Sequence, residues 1–204
     1  MQRFCLFIAF TVICVSGTAQ PSFHKLSRPE KCWVLCHPFK AKKSLPVTRM
    51  VLKTVDSLKQ NGAIGGDSNG GKLDAFRHAY WMQSLSLKIG KRQAVKLGKA
   101  HEKGNYLQFK KHELEDSALP DSISCLMDLK NNEAGANSIG RCHFKMTDKE
   151  LQDVILNMIG SGELVIIKKD PEMNFLMCDG TSIDMKKWSG KWNIPKCLVP
   201  SGEK

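Results

Sequence analysis

K-L-D-A-F-R-H-A-Y-W-M-Q-S-L-S-L-K-I, residues 72–89, is the stretch on which the fold turns. Leu73, Phe76, Tyr80 and Leu87 recur at helical spacing, and Trp81, Leu85 and Lys88 mark a neighbouring stripe. The spacing predicts a helix with a wide apolar face, ended by Gly90. The run before it, Asn61 to Gly71, is rich in glycine and reads as a loop. Two uses are open to it: a flexible linker, or a set of backbone N–H groups offered to an anion at the helix start.

Working outward, Val47, Val51, Val55 and Leu58 predict a helix over 44–60. Ala94, Leu97 and His101 predict another over 92–103, with Gly104 as its stop. Residues 105–119 are polar and aperiodic. Pro120-Asp121-Ser122 opens a helix running to about 132–136. Thr147-Asp148-Lys149-Glu150 is a capping box for a helix with Leu151, Val154, Ile155, Met158 and Ile159 on one face, closed by Gly160 and Gly162. Glu163 to Lys168 reads as a strand, and residues 170–204, with Cys178, Cys197, Trp188 and Trp192, as its partner in a small sheet. The fold class expected is therefore mainly α: a helical domain with a small C-terminal β hairpin or sheet, supported by disulfides.

The N-terminus has the form of a secretory signal. Arg3 precedes an apolar run, Phe4 to Val15, too short to span a bilayer, and Ser16-Gly17-Thr18-Ala19 offers a cleavage site after Ala19. This divides the chain into a signal peptide (1–19), a Cys-containing and irregular N-terminal arm (20–43), a helical domain (44–168) and a C-terminal Cys/Trp extension (169–204). The expected location is periplasmic or extracellular, with no transmembrane helix in the mature chain. Six cysteines follow the signal: Cys32, Cys36, Cys125, Cys142, Cys178 and Cys197. An even number in an exported chain points to disulfides. Sequence separation favours Cys178–Cys197 and Cys125–Cys142. Cys32 and Cys36 would share a helix face, which suits a bridge or, with His37, a metal; the second ligand pair of a zinc finger is missing.

The chain has 204 residues, 42% of them apolar, and a net charge of +11. That is enough apolar content for a core, which excludes a disordered chain. The positive charge suits an anionic envelope component or substrate. The lysines are scattered, and no aromatic-interleaved basic motif of a nucleic-acid module is present.

Polar groups fall where the helical pattern expects core. Asp74, Arg77 and His78 lie on the first of three helices, His101 and Glu102 on the next, and Asp128, Asn131 and Asn132 on the third. Asp74 and His78 are four apart, as are Asp128 and Asn132, so each pair shares a face. Buried charges are costly unless paired or ligated, so converging faces must satisfy one another or a ligand. Such a set can hold a divalent metal or run acid–base chemistry. His78, His101, Glu102 and Asp128 are the catalytic candidates; Asp74, Arg77, Asn131 and Asn132 are the substrate-binding ones.

The motifs D-A-F-R-H-A-Y-W, A-H-E and M-D-L-x-N-N-x-x-G resemble those of an uncharacterised bacterial domain found in exported and toxin-like proteins, over about residues 37–168. The resemblance implies that Arg77, His78, His101, Glu102, Asp128, Asn131 and Asn132 form one family-defining set. The chain departs from the pattern at Met82-Gln83 and Gly135-Ala136.

Three readings compete. The first is a hydrolase of an ester or phosphodiester in envelope lipid or polymer, with His78 or His101 as general base, Asp74 or Glu102 orienting it, and Asp128 and Asn132 holding metal or substrate. The second is a non-catalytic envelope protein whose polar cluster is structural and whose basic surface binds an anionic partner. The third is a toxin-like nuclease.

Overall fold

A computed structural model describes residues 23–65, 67–114, 119–140 and 145–203. The expected signal peptide, Cys142, and the pairing expected of Cys142 with Cys125 lie outside the described residues. Helices α1 (Arg28–Cys36) and α2 (Pro38–Gln60) are followed by α3 (Lys72–Ile89), α4 (Lys91–Lys110), α5 (Ser122–Asn137) and α6 (Asp148–Ser161). Strands β1 (Val165–Ile167) and β2 (Leu198–Pro200) pair antiparallel, with Ile166 opposite Val199. The mainly helical fold with a small C-terminal sheet is as the sequence predicts. Among the described residues no helix is long and apolar enough to cross a membrane.

α3 is the central element and packs against α2, α4, α5 and α6. Leu73, Phe76, Tyr80, Met82 and Leu85 on it are fully buried. Glycines set the closest helix approaches. A Cβ on Gly135 of α5 would stand 2.0 Å from the Ala79 carbonyl oxygen of α3, and one on Gly98 of α4 would stand 2.6 Å from the Met82 methyl.

Three local expectations are corrected. The arm over 20–43 is not irregular where it is described: Ser27 and Glu30 form a capping box that starts α1, and Pro29 and Pro38 occupy first-turn positions, where a missing N–H costs nothing. Gly104 does not stop α4, which runs on to Lys110; a Cβ there would lie 2.4 Å from Ser27 Oγ, so the glycine makes room for the start of α1. Cys32 and Cys36 are exposed, unbonded thiols, because side chains four apart on one helix stand about 5–6 Å apart at Cβ, beyond disulfide reach.

The C-terminal extension is fastened to the helices at several points. Cys178 and Cys197 are joined by a disulfide. Lys196 is buried with Asp121, the N-cap of α5, at 2.6 Å. The Trp192 ring packs on Tyr106 and Phe109 of α4, each centroid 4.9 Å away.

Candidate functional site

The glycine-rich loop shapes the first part of the site. Gly70 adopts φ +80°, its carbonyl accepts the Ile167 N–H at 2.8 Å, and Lys169 bonds to Asp67 and to the Asn69 carbonyl. The second half of this loop is therefore a pinned turn and not a linker. Its product is internal: the Gly70 N–H donates to Asp74 Oδ2 at 2.7 Å, so the carboxylate of Asp74 takes the place that an external anion would.

Asp74, at the start of α3, also accepts from Arg77 at 2.7 Å. One turn on, His78 Nε2 lies 3.3 Å from Asp128 of α5 and 3.6 Å from Asp74. The three residues are all buried, and one ligand atom from each lies within 4.8 Å of the others. Among the described residues they are the set that could hold a divalent cation. Arg77 already brings a positive charge there, its guanidinium nitrogen 3.2 Å from His78 Nε2. A metal would have to displace that side chain, which is 23% exposed.

Burial holds His78 well below the ordinary imidazole value of 6.5, and the charges of Arg77 and His101 push the same way. Asn132 opposes them: it lies close enough to favour the protonated ring, although no hydrogen bond of standard geometry joins its amide to His78 Nδ1. His78 is neutral at pH 7.

His101 faces the same region from α4. Its ring centroid is 6.4 Å from that of His78 and 5.7 Å from that of Trp81. Its Nδ1 donates to Glu30 of α1 at 3.0 Å. Burial would raise the Glu30 carboxyl, but the hydrogen bond from His101, the charge of His101 and the hydrogen bonds from Ser27 together outweigh it and hold the group below 4.5. Glu30 is a residue that the helical pattern does not single out. The signal for it was the capping box S-R-P-E at 27–30.

Two of the expected residues sit elsewhere. Glu102 is buried and accepts from Asn105 Nδ2 at 3.1 Å, while a hydrogen bond joins His101 to the carboxylate of Glu30. Asn131 is fully buried, and its amide both donates to and accepts from the backbone of Val165, at 2.9 Å each way. It latches β1 to α5, which uses the groups that a substrate would need.

Two openings flank the cluster. A polar cleft of about 210 Å³ is lined by Asp74, Arg77 and Asp128 and, from the C-terminal extension, by Phe175, Trp188, Lys191 and Lys196. An apolar pocket of about 350 Å³ lies between α1, α2, α3 and α4, with Trp33, Val51, Trp81 and Leu97 among its walls and Glu30, Arg77, His78 and His101 as its charged and imidazole groups. Arg77 lines both. The size and character of the pocket are those of a small-molecule site with a few convergent polar groups.

No curated protein and no solved structure matches this chain. A family profile does match over residues 31–163, which span both histidines, Glu102, Asp74, Arg77, Asp128 and the Asn131-Asn132 pair, and the chain belongs to that family, described as a domain of unknown function, DUF6973.

Proposed function

We propose that the protein is an exported hydrolase of an ester or phosphodiester in envelope lipid or polymer, with His101 as general base. One observation carries this reading: two imidazoles meet on an apolar pocket, each beside its own carboxylate, Glu30 for His101 and Asp128 for His78. Glu30 fixes the His101 proton on Nδ1 and leaves the Nε2 lone pair for catalysis. Water gives a proton to Nε2, its oxygen attacks the carbonyl carbon or the phosphorus, and the imidazolium returns the proton to the departing alcohol. Arg77, on the same pocket, supplies positive charge for the oxygen that becomes negative. Neutral His78, beside Asp128, adds no positive charge of its own there. In this reading residues 1–19 direct export, and the Cys178–Cys197 bridge supports an oxidising compartment.

The competing reading, a structural lock on a basic envelope protein, draws on the Arg77–Asp74 pair and on the complete engagement of Asn131. A panel of chromogenic esters and phosphodiesters separates the two. Hydrolysis predicts turnover that falls about 10²–10⁴-fold in His101→Gln and follows it in Glu30→Gln, far out of proportion to the change in melting temperature. A lock predicts no turnover on any substrate, and melting temperatures that drop in both variants. Turnover abolished by a chelator would assign the chemistry to a metal at Asp74, His78 and Asp128.

A further inference from the structure

The helices that wall the apolar pocket carry apolar side chains that the fold leaves in water. At the corner where α1 meets α2, Leu35 is 70% and Phe39 is 84% exposed. Lys42 and Lys43, also exposed, follow within one turn. Farther along α2, Leu52 lines the pocket and is still 48% exposed, so it marks the pocket's mouth. Large apolar side chains flanked by lysines are the composition of a segment that lies in a membrane interface, where the rings and aliphatic chains enter the headgroup boundary and the ammonium groups meet anionic lipid. The net charge of +11 favours the same partner.

We propose that the α1–α2 corner seats the protein on an anionic lipid bilayer and that the apolar pocket takes one acyl chain from it. The pocket's walls are mostly apolar, while its ionic groups among the described residues gather around His78 and His101, as a lipid tail ending in a polar ester or phosphoester requires. The identity of the ligand as a substrate rests on the hydrolase reading; the binding itself does not.

The test uses the full chain, compared with variants, so that any contribution of residues 1–22 is common to every sample. Vesicles of phosphatidylglycerol or of phosphatidylcholine, brominated on the acyl chains, report two things: co-sedimentation reads seating, and quenching of tryptophan emission, to which the pocket's Trp33 and Trp81 contribute, reads chain entry. The wild-type chain is expected to sediment with phosphatidylglycerol at least about tenfold better than with phosphatidylcholine. Replacing Phe39 and Leu35 together by Ser lowers that partition at least about tenfold. Ala41→Phe, which fills the pocket, and Leu52→Gln, an uncharged replacement at an exposed site that keeps the fold, retain seating and lose part of the quenching. Equal binding to the two lipids, or seating unchanged by the Ser substitutions, overturns the proposal. So does quenching unaffected by both pocket variants. A chain that binds and is quenched but cleaves no lipid leaves this proposal standing and removes the hydrolase reading alone.

Discussion

Gly135 of α5 and Ala79 of α3 touch so closely that a Cβ on the glycine would lie 2.0 Å from the Ala79 carbonyl oxygen. Asn132 and Asp128 lie three and seven residues earlier on the same helix, and His78 precedes Ala79, so this crossing sets the distance between His78 and its carboxylate. Gly135→Ala must push the two helices apart. Overpacking of this kind is expected to cost about 3 kcal/mol or more, read as a lower urea midpoint with an unchanged slope. Gly160 of α6 provides the control, because a Cβ there meets nothing within 4 Å. Gly160→Ala is expected to be neutral or to stabilise by up to about 1 kcal/mol.

How far the sequence leads differs from element to element for physical reasons. α3 and α6 are legible because an apolar period and, for α6, the Thr147–Glu150 capping box act within a single segment. α1 is not, since Pro29 and Pro38 read as breakers although both start helices, and Pro46 sits inside α2. Gly104 reads as a stop because the packing of Ser27 against it is a tertiary fact. The same limit governs the site. His78, Asp128 and Asn132 share a burial pattern with Asn131, and only the position of Val165 separates a latch from a site residue. Glu30 lies 71 residues from His101, and nothing in either local pattern joins them.

Lys196 and Asp121 form an ion pair in which the side chains are 5% and 2% exposed. The lysine also stands 3.7 Å from the centre of the Phe175 ring. The pair joins the C-terminal extension to the start of α5 and borders the polar cleft. Removing either partner leaves the other buried without its counter-charge, so Lys196→Met and Asp121→Asn should each cost about 3–5 kcal/mol. The double variant should cost less than the sum, and a double-mutant cycle in urea measures the difference.

Asn131→Ala leaves the Val165 N–H and carbonyl without their present partners in the interior. A loss of about 3 kcal/mol is expected, concentrated at β1. Hydrogen exchange provides the local measure: the Val165 amide should lose protection far more than the amides of α6. Turnover, by contrast, should survive in folded Asn131→Ala. A selective loss of activity at full stability would instead return Asn131 to the substrate.

The buried, neutral state of His78 has a consequence for stability with a definite sign. Its folded value lies well below 6.5, lowered first by burial and then by Arg77 and His101. When pH falls below 6.5, the unfolded chain takes a proton at this position that the folded chain refuses. The unfolded state then binds more protons, so stability declines as the solution is acidified from 6.5 toward the folded value. Glu30 contributes in a lower window: its carboxyl is held below 4.5, and its share is lost only as pH falls from 4.5 through the folded value. The two groups therefore separate along the pH axis. His78→Gln should flatten the decline that begins at 6.5 and leave the one below 4.5 intact, while Glu30→Gln should do the reverse. Urea midpoints taken at intervals across this range decide the matter. A wild-type chain whose stability is level between 6.5 and 4.5 would mean that His78 takes up its proton in the folded state as readily as in the unfolded one, with Asp74 and Asp128 outweighing Arg77.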